Sequence, residues 1–179
     1  MTEGGTIVLT SSAGGQVGVF GYTAYTPTKF ALRGFAESLH MELLNHNVHV
    51  QLVFPPDTDT PGFTEENKHK PRETQLISET LGLMQPQDVG RRMVQEAIVD
   101  NPKFAVYFGF EGWMLSTVTS GMSPESSFLD AVAQVALMSL LRMVTLFVLN
   151  DFWRTIRKYR QQTSDETKQK EQHTTTMDP

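Results

Sequence analysis

The sequence contains no cysteine, which excludes disulfides and thiolate metal sites and permits a reducing compartment. It has no surplus of positive charge. The formal net charge is −5, and no basic stripe runs through the body, which argues against nucleic acid as a partner. The N-terminal Met1-Thr-Glu-Gly-Gly5 lacks the basic, apolar and small-residue order of a signal peptide. No internal repeat stands out, and His46 and His49 read as a turn residue and a strand residue, so no metal site is expected. What is present is an ordinary globular balance, 39% hydrophobic and 20% charged over 179 residues. That length suffices for one domain with a sizeable core.

Residues 5–29 carry the chemistry. Thr6 to Thr10 is a short β-branched, apolar run bounded by glycines, which predicts a buried strand. Ser11 and Ser12 fall where it ends, and Gly14-Gly15 turn the chain away. A long helical pattern runs from about Ala24 to Leu44, and Tyr25 and Lys29 share one of its faces. A tyrosine that protonates a developing alkoxide, a lysine that keeps the phenol acidic and a serine that fixes the carbonyl oxygen suit ketone chemistry. Each piece alone equally describes capping hydroxyls and a surface cation; the spacing Ser12…Tyr25…Lys29 after a strand is what is specific.

Val17, Phe20 and Tyr22 either line a substrate mouth or pack on their own sheet. The helix carries a broad apolar surface of Phe30, Leu32, Phe35, Leu39, Met41 and Leu43, while Arg33, Glu37 and Glu42 lie largely elsewhere. Val48 to Phe54 is a second strand, so a parallel strand–helix–strand crossover is expected. Pro55-Pro-Asp-Thr-Asp-Thr60 then lies beyond the strand end, where open α/β sheets bind ligands. Residues 61–86 form a polar, proline-punctuated excursion, with a helical pattern near Glu73–Met84. Lids have this character. Phe63, Leu76, Ile77, Leu81 and Met84 suit a cover over an alkyl chain, and Lys68, His69, Lys70 and Arg72 a solvated face. A helix from Pro86 to about Val99 and a third strand over Phe104–Phe110 complete the body.

Ala131 to Leu149 is apolar over nearly its full length, long enough for a bilayer core of about 30 Å. An arginine, Arg142, interrupts it, and Trp153, Arg154, Arg157, Lys158, Tyr159 and Arg160 suit a cytoplasmic interface. A span and an interfacial helix both fit. Residues 161–179 are polar and without periodicity, which predicts a disordered tail.

The strand, Ser12, Tyr25 and Lys29, followed by Pro55 and Thr60, resemble the catalytic segment of the short-chain dehydrogenase/reductase family. The resemblance implies an α/β fold: the second half of a Rossmann-like, doubly wound parallel sheet with a C-terminal apolar helix. By position, Ser12, Tyr25 and Lys29 are then catalytic, and Tyr25, Lys29, Pro55, Thr58 and Thr60 hold the nicotinamide end of the cofactor. Pro56 replaces the family's glycine. A narrower likeness runs through Pro55–Phe63, Glu65–Asn67, Lys70-Pro71, Ile77–Thr80, Gly112–Ser116 and Gly121-Met122. It is to family members that reduce the 3-keto group of long-chain sphingoid bases. It implies NADPH, a sphingoid ketone as substrate, contact with membrane lipid and a cytoplasmic-face site at the endoplasmic reticulum membrane. The family also implies a homodimer through the helix over 24–44.

The expected organisation is 1–112 as the carboxyl-terminal half of the catalytic domain, with its lid at 61–86, then 113–160 as a membrane-associated helical region and 161–179 as tail. The family's Gly-x-x-x-Gly-x-Gly pyrophosphate loop and its catalytic asparagine have no counterpart in these residues. The chain therefore reads as a carboxyl-terminal portion, from a truncated isoform or an incomplete gene model, and is expected to be inactive on its own because the cofactor-binding half is missing. The alternative is a non-catalytic, membrane-associated or dimerising module.

Overall fold

A computed structural model describes residues 4–79, 82–125 and 127–175, with side chains as far as Gln169. Leu81 and Thr80, named above, lie outside the described residues. β1 (Gly5–Thr10), β2 (Val48–Phe54) and β3 (Ala105–Tyr107) form one sheet in the order β1-β2-β3. All pairing is parallel, with Ile7 opposite Val50 and Val53 opposite Val106. Parallel strands need crossovers, and α1 (Tyr25–Glu42) supplies the first. The expected parallel α/β arrangement with a long apolar C-terminal helix is the one observed.

Helices cover both faces of the central strand. Val50, Leu52 and Phe54 pack with Phe104 and Ala36 of α1, and Leu32, Leu39 and Leu43 close that layer. Val53, from the opposite face, packs with Val106, Phe108 and Val89 of α4 (Pro86–Ala97). A strand covered on both sides reads as a continuous apolar run, yet Gln51 is also fully buried. Its amide donates to Glu96 O and Lys103 O at 3.1 and 3.2 Å, tying α4 to the chain before β3. The third strand is shorter than the expected Phe104–Phe110. Gly109 takes φ +66° and starts α5 (Gly109–Thr119), so the aromatic run divides between sheet and helix.

The excursion contains two helices, α2 (Pro61–His69) and α3 (Arg72–Ser78). Thr60 caps α2 by accepting from Phe63 N–H at 3.1 Å, with Pro61 at the first helical position. Gly21 takes φ +81°, and a methyl there would come 2.6 Å from Thr74 Oγ1 and 2.9 Å from Pro71, so the mouth loop lies directly on α3. Thr74 Oγ1 donates to Phe20 O at 2.6 Å.

α6 (Phe128–Thr175) packs on α5 and α3. It continues through the polar stretch expected to be disordered. Gln, Glu and Lys are good helix formers, and neither Gly nor Pro interrupts 161–175.

Candidate active site at the strand ends

Backbone bonds from Ser11 N–H to Val53 O and from Ala13 N–H to Pro55 O, at 2.8 and 3.0 Å, lace the carboxyl ends of β1 and β2. Ser12 follows in extended conformation, and its Oγ accepts from Gly14 N–H at 3.1 Å to cap a short 3-10 turn, Ala13–Gly15. Gly15 lets that turn lie against α1: a methyl there would meet Ser11 Oγ and come 3.0 Å from Lys29 Cβ. Ser11 Oγ also donates to Lys29 O at 3.0 Å. The first turn of α1 is thus fixed to the strand end.

Tyr25 opens α1 and is hydrogen-bonded with Ser12. Lys29 Nζ stands 5.5 Å from the centre of the Tyr25 ring. The three residues singled out from the sequence therefore meet in one corner. Their electrostatics differ from the expectation. Burial pushes the Tyr25 phenol above its ordinary value of 10.0; the Ser12 bond draws it down, and the charges of Glu66 and Asp57 raise it again. Lys29 does not make the phenol acidic in this arrangement. Its ammonium lies over the ring and donates to Thr10 O at 3.4 Å, so its charge serves the ring face and a strand-end carbonyl.

The Pro55–Thr60 loop closes on itself. Thr58 Oγ1 donates to Pro56 O at 2.9 Å. Asp59 N–H donates to Met84 O and Met84 N–H to Asp57 O, both at 2.9 Å, so the loop and the end of the excursion form an isolated bridge. Thr58 is thereby engaged in loop structure, and Thr60 in capping α2.

Sequence reasoning missed a second cluster beside the first. Tyr22 packs on Tyr25 with ring centres 5.0 Å apart, and its hydroxyl donates to Glu66 Oε1 at 2.6 Å. Lys70, expected on a solvated face, has a fully buried side chain. Its Nζ lies 3.2 Å from Glu66 and 3.9 Å from Asp57, and 4.5 Å from the Phe63 ring centre. The available signal was the spacing of Phe63, Glu66, Asn67 and Lys70, which puts them on one face of α2. The other basic residues there stay outside: Lys68 pairs with Glu65, and Arg72 with Glu79.

Residues 1–71 match the family model described as short chain dehydrogenase. Over that segment, the chain is similar to the short-chain dehydrogenases. A 3-dehydrosphinganine reductase of Danio rerio is 51% identical over 154 residues, which are 86% of this chain and 46% of that protein. A 3-ketodihydrosphingosine reductase of Mus musculus is 48% identical over the same coverage. An Arabidopsis thaliana 3-dehydrosphinganine reductase is 39% identical over 92% of this chain and 49% of its own length. A solved short-chain dehydrogenase from Streptomyces avermitilis covers 80% of this chain and 52% of its own, at 19% identity and a TM-score of 0.48. The chain spans about half the length of the curated relatives it matches.

Short-chain dehydrogenases use nicotinamide cofactors, and two side chains around the corner keep donor protons for such a group. Lys29 makes one long bond to Thr10 O, and an ammonium has three donors, so it can also serve a ribose hydroxyl. The Thr60 hydroxyl acts as acceptor in its cap, which leaves its own proton to give.

Proposed function

We propose that this chain carries the acid–base corner of an NADPH-dependent reductase of the 3-keto group of long-chain sphingoid bases. The observation that carries the reading is the meeting of Ser12, Tyr25 and Lys29 at the carboxyl ends of β1 and β2. The names of the relatives supply the substrate class.

In this reading Ser12 holds the ketone oxygen against Tyr25, and Tyr25 gives that oxygen its proton. A half-buried neutral phenol is in the protonation state a donor needs, and its hydrogen bond with Ser12 stabilises the phenolate left behind. Lys29 holds a ribose hydroxyl; Pro55, Thr58 and Thr60 shape the pocket for the carboxamide. The cofactor, when bound, supplies the hydride to C3. Residues 61–86 act as the lid within a catalytic segment over 1–112.

Membrane association follows from α6, the one helix among the described residues long and apolar enough to cross a membrane. Lys103 pairs with Asp130 near its start and Arg160 with Glu73 far along it, at 2.8 and 3.4 Å. These tethers are about 45 Å apart at 1.5 Å per residue. A helix held to a charged body along that length favours lying on the bilayer over crossing it. We place the protein at the cytoplasmic face of the endoplasmic reticulum membrane.

Exposed Phe35 and Met41 on α1 favour a second reading, a dimerising or membrane-bound module without catalysis. NADPH titration of the purified chain, followed by a long-chain 2-amino-3-ketone, separates the two. Saturable cofactor binding and ketone-dependent oxidation support the reductase; neither would be seen with the module.

A further inference from the structure

The inward face of α2, Tyr22 and Asp57 form a polar cluster that the acid–base chemistry does not use. Tyr22 links it to the site: its ring packs on Tyr25, and its hydroxyl donates to Glu66. The cluster holds two carboxylates, Asp57 and Glu66, around one buried cation, Lys70. One negative charge is left over. Burial is the main influence on Asp57 and pushes its carboxyl up, against the pull of Lys70 and of a hydrogen bond with Ser78. Asp57 is half-buried and Glu66 is exposed, and a surplus carboxylate charge held partly out of water is eased when a counter-charge joins it.

Two further observations point to a ligand. Lys70 Nζ is buried and, among the described residues, has ion pairs but no hydrogen-bond acceptor. A cavity of about 350 Å³ opens from Asp57, lined by Phe63, Asn67, Gln75, Ser78 and Leu83. Its wall mixes the apolar Phe63 and Leu83 with polar groups that include a further carboxylate, Glu79, so it suits a cationic head carrying a hydrocarbon chain.

We propose that Glu66 and Asp57 bind the ammonium group of a long-chain 2-amino ketone, that Lys70 donates to its neighbouring hydroxyl, and that this cluster selects free amines over N-acylated analogues. The assignment rests on the reductase reading, which puts the ketone carbon at Tyr25 and hence the ammonium-bearing carbon next to it. A monocation there balances the surplus carboxylate, and a hydroxyl fills the vacant donor of Lys70. An N-acyl group removes the charge and leaves the carboxylate uncompensated.

The test is equilibrium binding of sphinganine and of N-acetylsphinganine to the chain in nonionic micelles, with folding checked by circular dichroism. Wild type is expected to prefer the free amine at least tenfold. Glu66→Gln brings the ratio near one with N-acetylsphinganine affinity unchanged, whereas Glu66→Asp, which keeps the charge, retains the preference. A wild type without preference overturns the assignment, and so does a preference that survives in both Glu66→Gln and Asp57→Asn. If Glu66→Gln does not fold, Asp57→Asn and the wild-type ratio decide. Ketone reduction in the same micelles separates the two readings. Preference for the amine with no reduction of either ketone sinks the reductase and leaves the subsite; reduction of both with equal KM does the reverse.

Discussion

Along β2, Val50, Leu52 and Phe54 face one layer of helices and Val53 the other, and all four are buried. Along α6, Leu141 and Thr145 are buried, while Leu140, Met143 and Phe147 face outward. The same side-chain types are placed by opposite rules. In β2, apolar surface is spent inside the fold, and the one polar side chain buried with it, Gln51, gives its amide N–H groups to two backbone carbonyls. In α6 the buried stripe is shared by a leucine and a threonine, and the continuous apolar surface is the outer one. A soluble amphipathic helix has the reverse pattern. The outer face of α6 is therefore built for a nonaqueous neighbour, whereas the central strand β2 is enclosed by the fold itself.

The comparison is broken most easily at Leu52. Leu52→Ala should destabilise the chain by about 2–5 kcal/mol, because a fully buried methylene cluster leaves a cavity. Phe147→Ala, at 70% exposure, should stay within about 0.5 kcal/mol. Denaturant titrations in the same micelles check both; equal losses would erase the distinction between the regions. Phe147→Asp sharpens it from the other side. Stability should change little, while co-sedimentation with phospholipid vesicles should fall about tenfold or more, since the binding of an interfacial helix scales with its buried apolar area and a carboxylate there also meets anionic lipid unfavourably.

A smaller effect separates the charged cluster from both regions. Burial, then the hydrogen bond to Glu66 and the charges of Glu66 and Asp57, push Tyr22 well above an ordinary phenol. A raised folded-state value stabilises the fold below the unfolded value of about 10 and loses that contribution as pH climbs beyond it. Melting temperature should therefore fall from about pH 10 upward, less steeply in Tyr22→Phe. A similarly small effect belongs to Arg160→Ala. Its pair with Glu73 leaves the arginine 65% exposed, so about 0–1 kcal/mol is at stake.

α1 and β2 were legible because period and turn chemistry agree with the packing: Ala36, Leu39 and Leu43 fall on the face that meets β2. β1 forms where expected but is not the buried strand its apolar run suggests, being exposed or half-buried throughout because it pairs on one edge only. Ser12, Tyr25 and Lys29 were legible because a strand end and one helical turn suffice to juxtapose them. The Tyr22–Glu66 contact was not, because its partners are 44 positions apart and α2 reads as a polar excursion. Nor was the direction of the Tyr25 shift. That depends on how deeply the ring is buried and on Asp57 and Glu66, which reach it only through the folded excursion. The end of β3 was lost to Gly109, whose positive φ ends an otherwise strand-like aromatic run.

The central claim is that Tyr25 is the proton donor of a ketone reduction. It is tested most directly by comparing wild type and Tyr25→Phe in NADPH-dependent reduction of a long-chain 2-amino-3-ketone, with cofactor affinity measured alongside. The account predicts that kcat falls roughly a hundred- to ten-thousand-fold while the cofactor Kd stays within about twofold. Turnover retained in Tyr25→Phe would contradict it.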